Sequence, residues 1–146
     1  MKYAPRKTDH RIVEEAQSAY AENPAGMVDR ILAGLSVEEF DTLREMLGLS
    51  VDQMAGKIGI SVATLSRRRA KRQLLDRDHS DRLMRYARLY WQAVDYFEGD
   101  AATARDWLAR PARGLAGRSP LEFAETEMGA REVEDLIGRL EHGVYV

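Results

Sequence analysis

The densest chemistry in this sequence is cationic. From Ser61 to Arg72 the chain reads S-V-A-T-L-S-R-R-R-A-K-R. Arg67, Arg68, Arg69, Lys71 and Arg72 follow the short residues Ser61, Ala63, Thr64 and Ser66. On a helix, short side chains at the leading end allow close approach to base edges in a major groove. Hydroxyls and basic groups behind them suit phosphate oxygens, with Arg69 and Arg72 as phosphate-contact candidates. A run of arginines is also an ordinary solvated helix face, so the pattern implies nucleic acid only inside a suitable framework.

That framework lies just upstream. Ser50 is a good N-cap, and Gln53 three residues later completes a capping-box pattern. Met54, Ala55 and Ile58 share one face at helical spacing. Gly59 suits the left-handed residue that ends a helix. Ile60 supplies an apolar plug, and Ser61 caps the next helix, with Val62 and Leu65 expected to face inward. Two short helices around a glycine turn form the helix-turn-helix pattern over residues 50–72.

The charge distribution agrees with a local phosphate footprint. The net charge of the 146-residue chain is only −2, but residues 61–90 hold 9 Lys/Arg against 3 Asp/Glu. Residues 1–60 hold 7 against 10, and residues 91–146 hold 6 against 11. A local basic patch, not the total, governs attraction to nucleic acid. Cysteine is absent, which excludes disulfides and thiolate chemistry. No apolar run reaches membrane-spanning length, and M-K-Y-A-P-R-K carries no signal-peptide pattern. A cytoplasmic protein with no membrane partner is expected.

Helical periodicity runs through the rest of the chain, and no alternating strand pattern appears, so the expected fold class is all-α. A helix from Asp9 would place Ile12, Val13, Ala16 and Tyr20 on one face. Asn23 and Pro24 fit the cap and first residue of the next helix, with Val28, Ile31 and Leu32 apolar. Ser36 caps another, whose core face is Phe40, Leu43, Met46 and Leu47. Asp76 or Asp78 caps a long helix to about Glu98, apolar on more than one side. A helix of that kind packs against several elements or another chain, which predicts a homodimer. Asp100 caps the next helix, on which Ala104, Trp107 and Leu108 are expected to face inward. Ser119 and Pro120 open a short helix expected to stop near Gly129, and the last helix carries Val133, Leu136, Ile137 and Leu140. The expected organisation is an N-terminal helical region, 1–76, and a region of linker helix and C-terminal subdomain, 77–146.

The stretch from Ser50 to Arg72 resembles the helix-turn-helix of phage-repressor-like, Xre-type regulators. Carried over position by position, that resemblance makes Val62, Ala63 and Arg67 base-reading, Thr64 phosphate-contacting, and Val51 a further DNA contact. Arg68 departs from the pattern, because those regulators usually bury an apolar residue there; an arginine stem can cover apolar surface.

The second half, F-E-G-D-A-A-T-A-R-D-W-L-A-R-P, L-A-G-R-S-P-L-E-F and E-T-E-M-G-A-R-E-V-E-D-L-I-G-R-L-E-H-G-V-Y, is similar to the C-terminal toxin-binding domain of Xre/ParS/MbcA-type antitoxins. The resemblance extends over roughly residues 34–146. It implies an antitoxin of a type II toxin–antitoxin module. Such an antitoxin would mask the active site of a RES-type toxin, of a family that degrades NAD, and would repress its own operon by binding operator DNA. Toxin contacts are expected at Arg139, His142, Val144, Tyr145 and Val146. There a short apolar tail with a terminal carboxylate would plug an NAD pocket.

An enzyme is not expected. His10, His79 and His142 show no metal-ligand spacing, and neither a G-x-S-x-G elbow nor a phosphate-cradling glycine loop is present. No cofactor is implied. The competing reading from another class is a helix-turn-helix transcription regulator without a toxin partner, whose second half only dimerises.

Overall fold

Local capping chemistry sets the boundaries of most helices. In the computed structural model, residues 24–143 and Ile12 are described. Residues 24–143 form eight α-helices and one 3-10 turn, and no strand occurs among the described residues. The helices are α1 (Pro24–Ala33), α2 (Val37–Leu47), α3 (Val51–Ile58), α4 (Val62–Ala70), α5 (Arg77–Tyr96), α6 (Ala101–Ala109), α7 (Pro120–Phe123) and α8 (Glu127–Glu141). The 3-10 turn is Arg113–Leu115. The protein is all-α. Contacts divide the chain into two compact units, Met1–Arg88 and Leu89–Val146; the expected boundary at 76/77 is where α5 starts.

In the first unit, Ser36 Oγ accepts from Glu39 N at 3.0 Å and starts α2. The capping box of α3 is complete: Gln53 N donates to Ser50 Oγ at 3.1 Å, and Ser50 N donates to Gln53 Oε1 at 2.9 Å. Ser61 Oγ accepts from Thr64 N at 3.1 Å and starts α4. Each bond satisfies an N–H that helix geometry leaves without a partner, which typically stabilises by about 1 kcal/mol. Phe40, Leu43, Met54, Ile58 and Leu65 are buried where α2, α3 and α4 meet, and Ile60 closes the turn.

Two sequence expectations change here. Val62 does not face inward: it is 41% exposed. As the first residue of α4 it lies beyond the point where Ile60 has already closed the core, so the inward stripe of α4 begins at Leu65. Helix α1 buries none of its residues, and Val28 and Leu32 are 54% and 56% exposed. It is held by polar contacts instead: Arg30 pairs with Glu39, and Arg30 Nη1 donates to Gly34 O at 3.2 Å. Of the helix expected from Asp9, Ile12 is helical and buried; Val13, Ala16 and Tyr20 lie outside the described residues, as does the expected Asn23 cap.

Asp76, not Asp78, caps α5, since its Oδ1 accepts from His79 N at 2.9 Å. The start of this helix is sewn into the first unit. Leu75 N donates to Leu35 O at 2.8 Å, and Leu35 N donates to Ser80 Oγ at 2.9 Å. Leu83, Met84, Tyr86, Ala87, Leu89, Tyr90 and Ala93 are all buried. Most of the apolar surface of α5 is therefore covered within the chain itself, while Trp91 and Val94 are half-buried.

In the second unit, Asp100 caps α6 by accepting from Thr103 N at 3.1 Å. The core is Ala104, Leu108, Leu115, Leu121, Ala124, Ala130, Val133, Leu136 and Ile137. Trp107 is only half-buried; it meets Phe97 edge-on at 6.4 Å between ring centroids. Gly129 does not stop the short helix, which ends at Phe123. It lies in the first turn of α8, where its N–H donates to the Thr126 cap at 3.0 Å. A Cβ there would fall 1.6 Å from Phe123 O, so only glycine permits this approach of α8 to the end of α7.

Candidate nucleic-acid interface and C-terminal binding face

Helix α4 exposes the residues expected to face DNA. Ser61, Val62, Ala63, Ser66 and Arg67 are exposed, and Thr64 is half-buried. Ser61 Oγ lies 2.8 Å from Thr64 Oγ1 and donates to it. With one lone pair engaged by Thr64 N and its proton donated to Thr64 Oγ1, Ser61 serves first as a cap. The Thr64 proton remains available to a phosphate oxygen. Val51, the first residue of α3, is half-buried beside the Ser50 cap.

The arginines differ in what they already hold. Arg67 is exposed and has no side-chain partner among the described residues. Arg69 engages Asp41 of α2 with both terminal nitrogens, Nη2 lying 3.0 Å from Oδ1. Those hydrogen bonds, with a smaller contribution from the Asp41 charge, hold the guanidinium above its ordinary pKa against an opposing effect of burial. Arg68 turns back along the chain and donates from Nη1 to Leu74 O at 2.7 Å. It is half-buried and secures the exit from α4, which explains why a cation is tolerated where related helices bury an apolar group. Arg72 leaves that helix with φ +52° and an exposed side chain. Arg68, Arg69 and Arg72 surround a recess of about 550 Å³, completed by Ser36, Val37, Glu38, Gln73 and Leu74. The leading end of α4 is thus short and open, and its trailing end is cationic.

Sequence reasoning did not find Asp41. The residue lies 28 positions before Arg69, and nothing in its neighbourhood separates it from other solvated carboxylates.

At the other end of the chain, Arg139 lies in the last turn of α8, half-buried, with its Nε buried and without a hydrogen-bond partner among the described residues. His142 is exposed, and its backbone N–H closes the helix on Gly138 O at 3.1 Å. Val144, Tyr145 and Val146 lie outside the described residues. Among the described residues, no three His, Asp or Glu side chains form a group able to hold a metal ion. Among the described residues, no helix is long and apolar enough to cross a membrane.

Comparison with known proteins matches both units. Residues 26–88 match the Antitoxin Xre-like helix-turn-helix domain, and residues 92–143 match the Antitoxin Xre/MbcA/ParS C-terminal toxin-binding domain. The chain is 40% identical over 119 residues to Antitoxin Xre of Yersinia enterocolitica, covering 82% of this chain and 80% of the relative. It is 36% identical over 111 residues to Antitoxin Xre of Photorhabdus laumondii, covering 76% and 75%. It is 24% identical over 139 residues to the Prs ADP-ribosylating antitoxin of a Sphingobium species, covering 88% and 86%. Identity at this level over most of both chains, with the two domains in the same order as the basic helix-turn-helix and the C-terminal helical unit, shows that the chain belongs to the Xre/MbcA/ParS family of antitoxins.

Proposed function

We propose that this antitoxin binds a RES-type, NAD-degrading toxin, masks its active site, and represses its own operon through α4. The observation that carries the reading is the presence in one chain of a helix-turn-helix domain and a toxin-binding domain. It favours neutralisation over a regulator whose second half only dimerises. Val51, Ser61, Val62, Ala63, Thr64, Arg67, Arg69 and Arg72 would contact operator DNA. Arg139, His142 and the residues 144–146 would contact the toxin. The chain then acts as a cytoplasmic inhibitor and repressor, not as an enzyme.

A homodimer is part of this proposal. Its support is the exposed pair Val28 and Leu32 on α1, one helical turn apart, together with the half-buried Trp91 and Val94 of α5, whose other apolar residues are covered within the chain.

The Sphingobium relative is named for ADP-ribosylation. It supports a second reading of the partner, a toxin that transfers ADP-ribose to a target. Co-expression with the neighbouring gene separates the readings. A degrading toxin freed of its antitoxin depletes NAD without labelling macromolecules, whereas a transferase leaves ADP-ribose on its target. If the neighbouring product neither co-purifies nor is toxic alone, the antitoxin proposal for this pair fails.

A further inference from the structure

Helix α3 ends at the turn that launches α4, and two side chains of α5 hold that end. Arg82 Nη1 donates to Ile58 O at 3.1 Å. His79 Nε2 lies 3.3 Å from Gly59 O, while its Nδ1 sits 2.9 Å from Asp76 Oδ1. The last carbonyls of a helix lack intrahelical partners and carry the negative end of its dipole, so a guanidinium there makes a charge-assisted bond. Gly59 has φ +76°, and a Cβ on it would come within 2.8 Å of Arg82 Nη1. The left-handed backbone favours glycine here, and a Cβ would push the Arg82 guanidinium out of its present seat. Only Ile60 and Ser61 separate Gly59 from the first residue of α4. Where Gly59 sits therefore sets where the open, short-residue end of α4 points.

We propose that Arg82, assisted by His79, is a positioning residue for DNA recognition: it fixes the turn between α3 and α4 from the outside and contacts no nucleotide itself. The inference rests on the reading that α4 binds operator DNA. Loss of the clamp would let the leading end of α4 shift while its cationic end stays in place. Base readout would fall, and phosphate attraction would persist.

The test uses the full chain and two duplexes of equal length: the region upstream of the protein's own coding sequence, and a scrambled version. Arg82→Met should weaken binding to the upstream duplex about tenfold, as expected for loss of a hydrogen bond to a charged group. Binding to the scrambled duplex and both salt slopes should stay unchanged. Arg82→Lys, which keeps a cationic donor, should recover most of the loss. A fall of about one unit in the salt slope would make Arg82 a phosphate ligand and overturn the inference. So would equal binding by Arg82→Met and wild type, or an equal loss on both duplexes together with a lowered melting temperature. If the wild type itself does not distinguish the duplexes, the DNA reading fails first and this inference with it.

Discussion

Arg69 and Asp41 form a two-pronged ion pair that ties the recognition helix α4 to α2, and it occupies the terminal nitrogens of a residue otherwise suited to phosphate. The side chains are 48% and 28% exposed, and pairs this exposed are worth roughly 0.2–1 kcal/mol. The pair therefore adds little stability; in the proposed DNA complex Asp41 competes with phosphate for the Arg69 guanidinium and places a negative charge beside the proposed contact face.

Asp41→Asn should accordingly raise affinity for DNA of any sequence and steepen the salt dependence by about one unit. Its melting temperature should stay close to wild type. Fluorescence anisotropy over a salt series checks both. Unchanged affinity and slope would mean that Arg69 serves only to tie α4 to α2.

Arg67 holds no side-chain partner among the described residues and lies on the exposed face of α4. Arg67→Ala should cost about 1–3 kcal/mol of binding to the operator with the fold intact. Arg72→Ala, at the cationic end, should weaken all sequences alike and lower the salt slope by about one unit. Competition between operator and unrelated duplexes distinguishes the two outcomes.

Two glycines of α8 should respond in opposite directions. Gly129→Ala forces a methyl against Phe123 O at 1.6 Å, so the helices must part, at a cost of about 1–3 kcal/mol or more. Gly138 has open space around its added Cβ and lies within α8. Gly138→Ala should stabilise by roughly 0.5–1 kcal/mol through helix propensity. Thermal melts of the second unit's signal, with toxin pull-down, read both.

Removing residues 144–146 should leave toxin association but reduce protection of cells, because the buried face of α8 ends at Ile137, with Leu140 half-buried. Full protection by the shortened chain would shift inhibition to the surface around Arg139. Growth rescue with the co-expressed toxin gives the answer.

Burial raises the pKa of Tyr90, with the charge of Arg105 acting in the opposite direction. A raised folded-state pKa means that the folded protein keeps the phenol proton longer than the unfolded chain does. The associated stability is present below the ordinary tyrosine value of about 10 and is lost as pH climbs above it. Tyr90→Phe should flatten that alkaline loss relative to wild type, as measured by melting at a series of pH values from neutral to alkaline.

Five of the helix caps were decided by the sequence alone, whereas the choice of Asp76 over Asp78 and the Thr126 cap of α8 came from the structure. Ser36 with Glu39, Ser50 with Gln53, Ser61 with Thr64, Asp100 with Thr103 and Ser119 with Glu122 each join residues three apart. Such a ring closes within one turn, so residue type and spacing suffice to place it. Helix periodicity likewise placed Leu65 and Met54 in the core. Tertiary structure alone decided which cations are free and which are held. Arg69 meets Asp41 across 28 positions, Arg82 meets Ile58 O across 24, and Ser80 meets Leu35 N across 45. The outward turn of Val62, the exposure of α1 and the placement of Gly129 against Phe123 belong with them. These contacts depend on how packed helices bring distant surfaces together, and a long charged side chain carries no local signal of which carbonyl or carboxylate it will find.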